Sequence, residues 1–367
     1  MKKLFYLPLE SYVERYTYFM SCPDGWTETW FKNYRVPFVR VDGVSVGSSI
    51  TVGSVLDAFG RSRYAMSQIM AMVNRIQAGE VHDGDVVYTE DFWHPGIESL
   101  FYVRDLTGIN FKVGCFIHAQ SIDDTDFTWP MRRWMRPIEV GMSVGYDYIF
   151  TCSDILRGIA EKAGYDGSHL FKVGLPYNSR CLCRQLREMG LGELPKEDFV
   201  LFSSRFDKEK NPHFFLDLVE ACPDIEFKLV KPRKHITNDI GVQEHLDRVL
   251  SSCANLEVVD TSDKLSYYSL LSRARVQFNC AFQDWVSWTL LEAITFGCMP
   301  LYPDWKDFPT ELAGFEKDHI YPAWELDQAA KQLRNLMGQS FNPQLMSVVH
   351  RHDQSWFDYL VTMGFVL

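Results

Sequence analysis

Short apolar runs alternate with stretches of helical period along most of the chain, and this alternation predicts the strand and helix sequence of a parallel α/β sheet. Leu4-Phe5-Tyr6-Leu7 reads as the opening strand. Ile69, Met72, Val73 and Ile76 recur at helical spacing. Val86-Val87-Tyr88 reads as a strand, Ile97 to Leu106 as a helix, and Val113 to Ile117 and Tyr148 to Thr151 as further strands. Ser153 is placed to cap a helix starting at Asp154, where a hydroxyl can accept from the unpaired first-turn amides.

Polar, turn-forming residues between Tyr177 and Asp198 break this pattern, and the same grammar then restarts. Phe199 to Phe202 is apolar throughout, as a strand covered on both faces requires. Asn211-Pro212 signals a helix start, with Phe215, Leu218, Val219 and Cys222 on one face. Strands are expected at Phe227 to Val230, Leu256 to Val259, Val276 to Phe278 and Met299 to Tyr302. The predicted organisation is two Rossmann-like domains, 1–180 and 190–345. A final segment, 346–367, has apolar residues that need a surface and is expected to cross back onto the first domain.

Composition narrows the picture only slightly. The 367 residues are 46% hydrophobic and carry a formal net charge of −11, which excludes attraction of nucleic acid by bulk charge. A polyanion would need a local basic face, and two stretches could supply one: Arg132, Arg133 and Arg136, or Lys228, Lys231, Arg233 and Lys234. Solvated charged surface is the competing account of each. Nine cysteines are scattered, Cys181 and Cys183 form an isolated C-x-C, and a zinc site is not expected there. Glu10 interrupts the N-terminal apolar stretch too early for a signal peptide. No apolar run approaches the ~20 residues that span a bilayer. A cytoplasmic protein without membrane contact is expected.

Candidate chemistry concentrates in two loops of the second half. SSRFDKEKNP follows a buried strand and precedes a helix, so Ser204, Arg205, Lys208 and Lys210 stand where a diphosphate could be held. FQDWVSWTLLEAITFGCMP places Asp284 in a loop and Glu292 eight residues on, within a helix that Gly297 ends. Two carboxylates so placed can accept from sugar hydroxyls, and the amides of Val286 and Ser287 can approach a phosphate. Helix capping and dipole compensation are the structural alternative.

Arg205 and Lys210 followed by Asp284-x7-Glu292 and LEAITFGCMPLYP resemble the donor half of retaining GT-B glycosyltransferases, notably family 4, over roughly residues 199 to 305. The resemblance implies two Rossmann-like domains facing across a cleft, the first on the acceptor side and the second binding a nucleotide sugar. It implies a hexosyl- or pentosyltransferase using a nucleoside-diphosphate donor, a UDP-sugar, with no cofactor and no metal. Arg205 and Lys210 would hold the diphosphate, Asp284 the sugar and Glu292 the ribose. Asp284 stands where a Glu is usual, Trp285-Val286-Ser287 replaces a Gly-rich turn, and Ser204 replaces a Gly.

In the first half the resemblance implies that His118, just past a strand, approaches the reacting sugar. Glu10, Tyr12, Arg15 and Tyr16 are expected to face the cleft. Asp91, Trp93 and His94 add acceptor-side candidates, Trp93 by stacking. Asp123, Asp124 and Asp126 read as a capping loop rather than a metal site. This half is loosely similar to glycosyltransferases of large tailed phages, which implies a hydroxymethylated base of duplex DNA as acceptor, bound in the host cytoplasm through the Arg132 to Arg136 face. A saccharide or lipid-linked acceptor, or a non-catalytic sugar-nucleotide-binding protein, are the alternatives. A dinucleotide oxidoreductase lacks its G-x-G-x-x-G.

Overall fold

The computed structural model describes residues 2–12, 18–45, 58–191, 194–231, 236–261 and 263–366. Among them β1 (Leu4–Leu7), β2 (Phe38–Arg40), β3 (Val86–Thr89), β4 (Lys112–Ile117), β5 (Tyr148–Thr151) and β6 (Leu170–Lys172) form a parallel sheet in the order β2-β1-β3-β4-β5-β6. A second parallel sheet joins β7 (Glu197–Phe202), β8 (Glu226–Lys231), β9 (Leu256–Asp260), β10 (Ala274–Phe278), β11 (Met299–Pro303) and β12 (Ile320–Tyr321). Its order is β12-β11-β10-β7-β8-β9, the 3-2-1-4-5-6 winding of a dinucleotide-binding fold.

The predicted strands are present. Three others, β2, β6 and β12, escape the sequence pattern because they are edge strands of three, three and two residues, too short to show a period.

Contacts divide the chain into two units, 1–177 with 354–367, and 178–353. The division near the C-terminus falls after helix Met346–Asp353. That helix stays with the second unit, where Asp353 Oδ1 accepts from the Ser179 amide at 2.7 Å. Helix Ser355–Thr362 packs in the first unit, with Trp356 edge-on to Phe31 at 5.8 Å and Tyr359 against Phe150 at 4.2 Å.

In the second unit Phe202, Phe215, Phe227 and Phe278 pack on one another around the buried C-terminal half of β7. Helix Pro212–Ala221 starts where the sequence predicts, but not by side-chain capping. Asn211 adopts φ +53° and makes no cap hydrogen bond; asparagine is among the few non-glycine residues that tolerate this conformation. Ser153 does cap, accepting from the Leu156 amide at 3.1 Å.

Candidate functional site

β7 and β10 are neighbours in the second sheet although three α-helices, two strands and more than 70 residues separate their ends in sequence. Phe202 pairs with Phe278, so the loops that leave these strands start side by side at the point where strand order reverses. Ligands of open α/β sheets bind at such a switch point.

The two loops are knitted together. The Glu209 carbonyl accepts from the amides of Phe282 at 2.9 Å and Gln283 at 3.2 Å, and the Cys280 thiol lies 3.5 Å from the Lys210 carbonyl. Lys210 Nζ donates to Asp284 Oδ1 at 2.8 Å, to the Gln283 carbonyl at 2.6 Å and to Gln283 Oε1 at 3.1 Å. The Lys210 side chain is 8% exposed and that of Asp284 22%, so this ion pair is largely shielded from water. Arg205 forks onto its own loop, Nη1 to Asp207 Oδ2 at 2.8 Å and Nη2 to Glu209 Oε1 at 2.5 Å. Lys208 pairs with Asp239 at 3.3 Å on the surface. The structure thus joins Arg205, Lys210 and Asp284, with a carboxylate against each cation.

Beyond Asp284 the chain turns into helix Trp288–Thr295. Ser204, Val286 and Ser287 are all buried, and Ser287 Oγ pairs with Thr289 Oγ1 at 2.7 Å instead of capping the helix. Glu292 is 5% exposed, and its two oxygens accept from Tyr267 and Tyr268, both at 2.8 Å. Burial raises its carboxyl above the ordinary value, which Lys264 and the two tyrosines oppose. Tyr267 and Tyr268, on helix Lys264–Arg273, are site residues that sequence reading did not single out. The segment LSYYSLL carries the signal: adjacent tyrosines cannot both follow one apolar face, and the phenol of a buried one needs a partner.

In the first unit the switch point lies between β1 and β3. Glu90, directly after β3, is buried and receives Tyr6, Ser21, the Leu9 amide at 2.8 Å and Thr27 at 3.1 Å. Burial pushes its carboxyl up, opposed by these hydrogen bonds. Its carbonyl lies 2.9 Å from His118 Nε2, and the His118 ring packs edge-on to Phe116. Glu90 therefore fixes the loop that carries Glu10, and sequence reading missed it because a lone acid after a strand carries no spacing signal.

Asp91 is held within the protein by Arg61 Nη2 at 3.3 Å and Gln120 Nε2 at 3.0 Å, with Gln120 at φ +58°. Trp93 stands edge-on to Trp134 at 5.7 Å, and the Trp134 side chain is half exposed. His94, expected on the acceptor side, is 2% exposed and packed in the interior, where burial and Arg61 lower its pKa. Glu10 is buried and Tyr12 half-buried. Arg15 and Tyr16 lie outside the described residues.

The basic stretches prove less open than their sequence suggests. Arg136 turns inward onto Ser121 Oγ and its carbonyl, whereas Arg132 lies over the Trp129 ring at 4.4 Å. Lys228 pairs with Glu257 at 3.0 Å, and Arg233 and Lys234 lie outside the described residues. Asp123 and Asp126 each cap a turn, accepting from Thr125 and Thr128. No helix among the described residues is long and apolar enough to cross a membrane.

No family profile and no curated protein sequence matches the chain. Solved structures do. A sucrose-phosphate synthase from Thermosynechococcus elongatus superposes with a TM-score of 0.64 at 11% identity, covering 99% of this chain and 96% of that one. A UDP-forming α,α-trehalose-phosphate synthase from Burkholderia vietnamiensis gives 0.63 at 12%, covering 98% and 99%. Anabaena HepE in complex with UDP and glucose gives 0.57 at 12%, covering 99% and 97%. With its two parallel six-stranded sheets and these matches along nearly its whole length, the chain has the GT-B fold.

Proposed function

We propose that the chain is a glycosyltransferase that moves a sugar from a UDP-sugar to an acceptor hydroxyl with retention at the sugar carbon. In the transfer, the bond between the sugar carbon and the diphosphate oxygen breaks and UDP leaves. A new bond forms from that carbon to the acceptor oxygen, and the acceptor proton is released. Arg205 and Lys210 would hold the departing diphosphate, Asp284 the sugar, Glu292 the ribose, and His118 would approach the reacting sugar. The observation that carries this reading is the Lys210–Asp284 pair at the switch point, 2.8 Å long, beside a helix start. On this reading Lys210 would serve as the anion-binding cation and Asp284, paired with it, as the hydroxyl-binding acid. The structural neighbours support it: one is described as UDP-forming and one was solved with UDP and glucose.

The acceptor proposed is a hydroxymethylated base of phage DNA, favoured by exposed Trp134 beside Arg132 and Arg133 on helix Arg132–Gly145. A saccharide acceptor is the second reading, favoured by neighbours named for sugar-phosphate products. UDP release from a panel of UDP-sugars, with and without hydroxymethylated duplex DNA or sugar phosphates, tests both. Release stimulated by DNA, together with a salt-sensitive gel shift, supports the first acceptor; stimulation by sugars alone supports the second. No release with any donor overturns the transferase reading.

A further inference from the structure

Outside the residues given a role above, helix Pro212–Ala221 and helix Ile240–Ser252 bring together four side chains able to hold a metal. His213, Asp217 and Glu220 fall at i, i+4 and i+7 and share one helix face. His245 reaches across from the neighbouring helix. Its Nε2 lies 3.6 Å from Asp217 Oδ1 and 3.9 Å from Glu220 Oε2, and the three ligand atoms lie within 4.8 Å of one another.

The orientation of the His245 ring makes these distances informative. Its side chain is 12% exposed, and its Nε2 is buried without a hydrogen-bond partner. Its other nitrogen, Nδ1, stands 2.8 Å from His213 Nδ1. Two N–H groups cannot face each other at that distance, so at least one ring is neutral. If His245 Nδ1–H donates to His213, the bare Nε2 lone pair points at two carboxylates. Three electron-rich atoms converging on one spot repel unless a cation sits between them.

We propose that His245 Nε2, Asp217 and Glu220 form a binding site for a divalent transition ion of the zinc class. His213 acts as the outer partner that fixes the His245 tautomer. Imidazole and carboxylate ligands suit zinc, and a metal-bound histidine characteristically donates its other N–H to a neighbour. Ligands about 2.0–2.1 Å from a tetrahedral ion stand about 3.3 Å apart, so His245 at 3.6 and 3.9 Å from the two carboxylates needs only a small approach, and the carboxylates, within 4.8 Å of each other, must close by at most about 1.5 Å. Two carboxylates and a neutral imidazole balance the ion's charge. Arg248 competes, because its guanidinium forks onto Glu220 at 2.6 and 3.3 Å. The bound ion would tie helix Pro212–Ala221, which directly follows the Arg205 to Lys210 loop, to the helix whose cap, Asp239, pairs with Lys208.

The test uses the full-length chain, stripped with a chelator and titrated with zinc by calorimetry, with cobalt(II) absorbance as a second readout. The wild type is expected to take up one equivalent and to melt at a higher temperature with zinc than without. His245→Gln and Asp217→Asn should each lose that equivalent, and His213→Gln should weaken it about tenfold while leaving the stoichiometry intact. Arg248→Gln, which releases Glu220 and removes a positive charge, should tighten it. Cobalt should give only weak ligand-field bands, as nitrogen and oxygen ligands do. Intense thiolate charge-transfer bands, unchanged zinc uptake in the His245→Gln/Asp217→Asn double variant, or no uptake by the wild type would each overturn the proposal.

Discussion

Replacing Lys210 with methionine separates the two things this residue is proposed to do. The substitution keeps the volume and apolar stem of a side chain that is 8% exposed, and removes a charge that makes three hydrogen bonds. One charge-assisted bond, to Asp284, contributes ~1.5–3 kcal/mol, and breaking a fully buried ion pair costs ~3–5 kcal/mol. Asp284 retains 22% exposure and regains hydration when its partner goes, so the lower end applies. A loss of about 2 kcal/mol is expected, or ~4–8 °C in the thermal midpoint of a unit of this size. Adding Asp284→Asn should restore part of it, because the stranded carboxylate is then neutral. For catalysis, removing one donor that stabilises a leaving diphosphate costs ~10²–10³ in kcat, and the second substitution should not restore that. Urea unfolding and UDP release at saturating donor read the two effects separately. If Lys210→Met changes stability by under ~0.5 kcal/mol, the ion pair is not the shielded contact described. If UDP release stays near wild type, Lys210 does not hold the diphosphate.

Other expectations follow from single contacts. Burial raises the Glu292 carboxyl above its ordinary 4.5, so the native state binds this proton more tightly than the unfolded chain. Its stabilising contribution is therefore fully present below pH 4.5 and is lost as pH rises through the folded value. Glu292→Gln should remove this slope, and wild-type minus variant stability, from urea titrations at successive pH values, should fall as pH rises; an opposite slope refutes the burial argument. A Cβ at Gly145 would meet the Phe101 ring at 2.4 Å, so Gly145→Ala should cost ~1–3 kcal/mol in urea unfolding. Asn211→Ala should cost ~1 kcal/mol through its positive φ alone, and Asn211→Gly should be near neutral, since no cap hydrogen bond is lost.

Legibility in the sequence followed the length and burial of each element. The C-terminal halves of β7 and β10, ending in the buried Phe202 and Phe278, are well covered, and the loops after them can be located from sequence because buried strands announce where they end. β2, β6 and β12 carry two or three residues each at sheet edges, where side chains answer to solvent as much as to the sheet. Arg205 and Lys210 are visible as cations in a loop between a buried strand and a helix start, and Asp284 and Glu292 as acids in a largely apolar stretch. Their partners are not. Nothing in spacing tells that Tyr267 and Tyr268 meet Glu292 or that Glu90 gathers four donors, because these contacts join residues that only the finished sheets bring together; that Arg205 folds back on Asp207 and Glu209 is a local turn of its own loop that charge pattern alone does not fix. His94 misled for the same reason: a histidine after a strand looks available until the helix packed over it is known.

The pairing of every loop cation with a carboxylate also bears on how a donor arrives. Arg205, Lys208 and Lys210 face Asp207 with Glu209, Asp239 and Asp284. Opposite charges a few ångströms apart cancel at a distance, and mobile ions screen what remains within ~8–10 Å. On a chain of net charge −11, such a site exerts no long reach on a diphosphate. On the proposed reading, recognition would start only at contact, with phosphate oxygens taking the places of the protein's own carboxylates. Donor capture should then proceed at a rate that salt barely alters, and discrimination between donors should reside in how slowly the right one leaves.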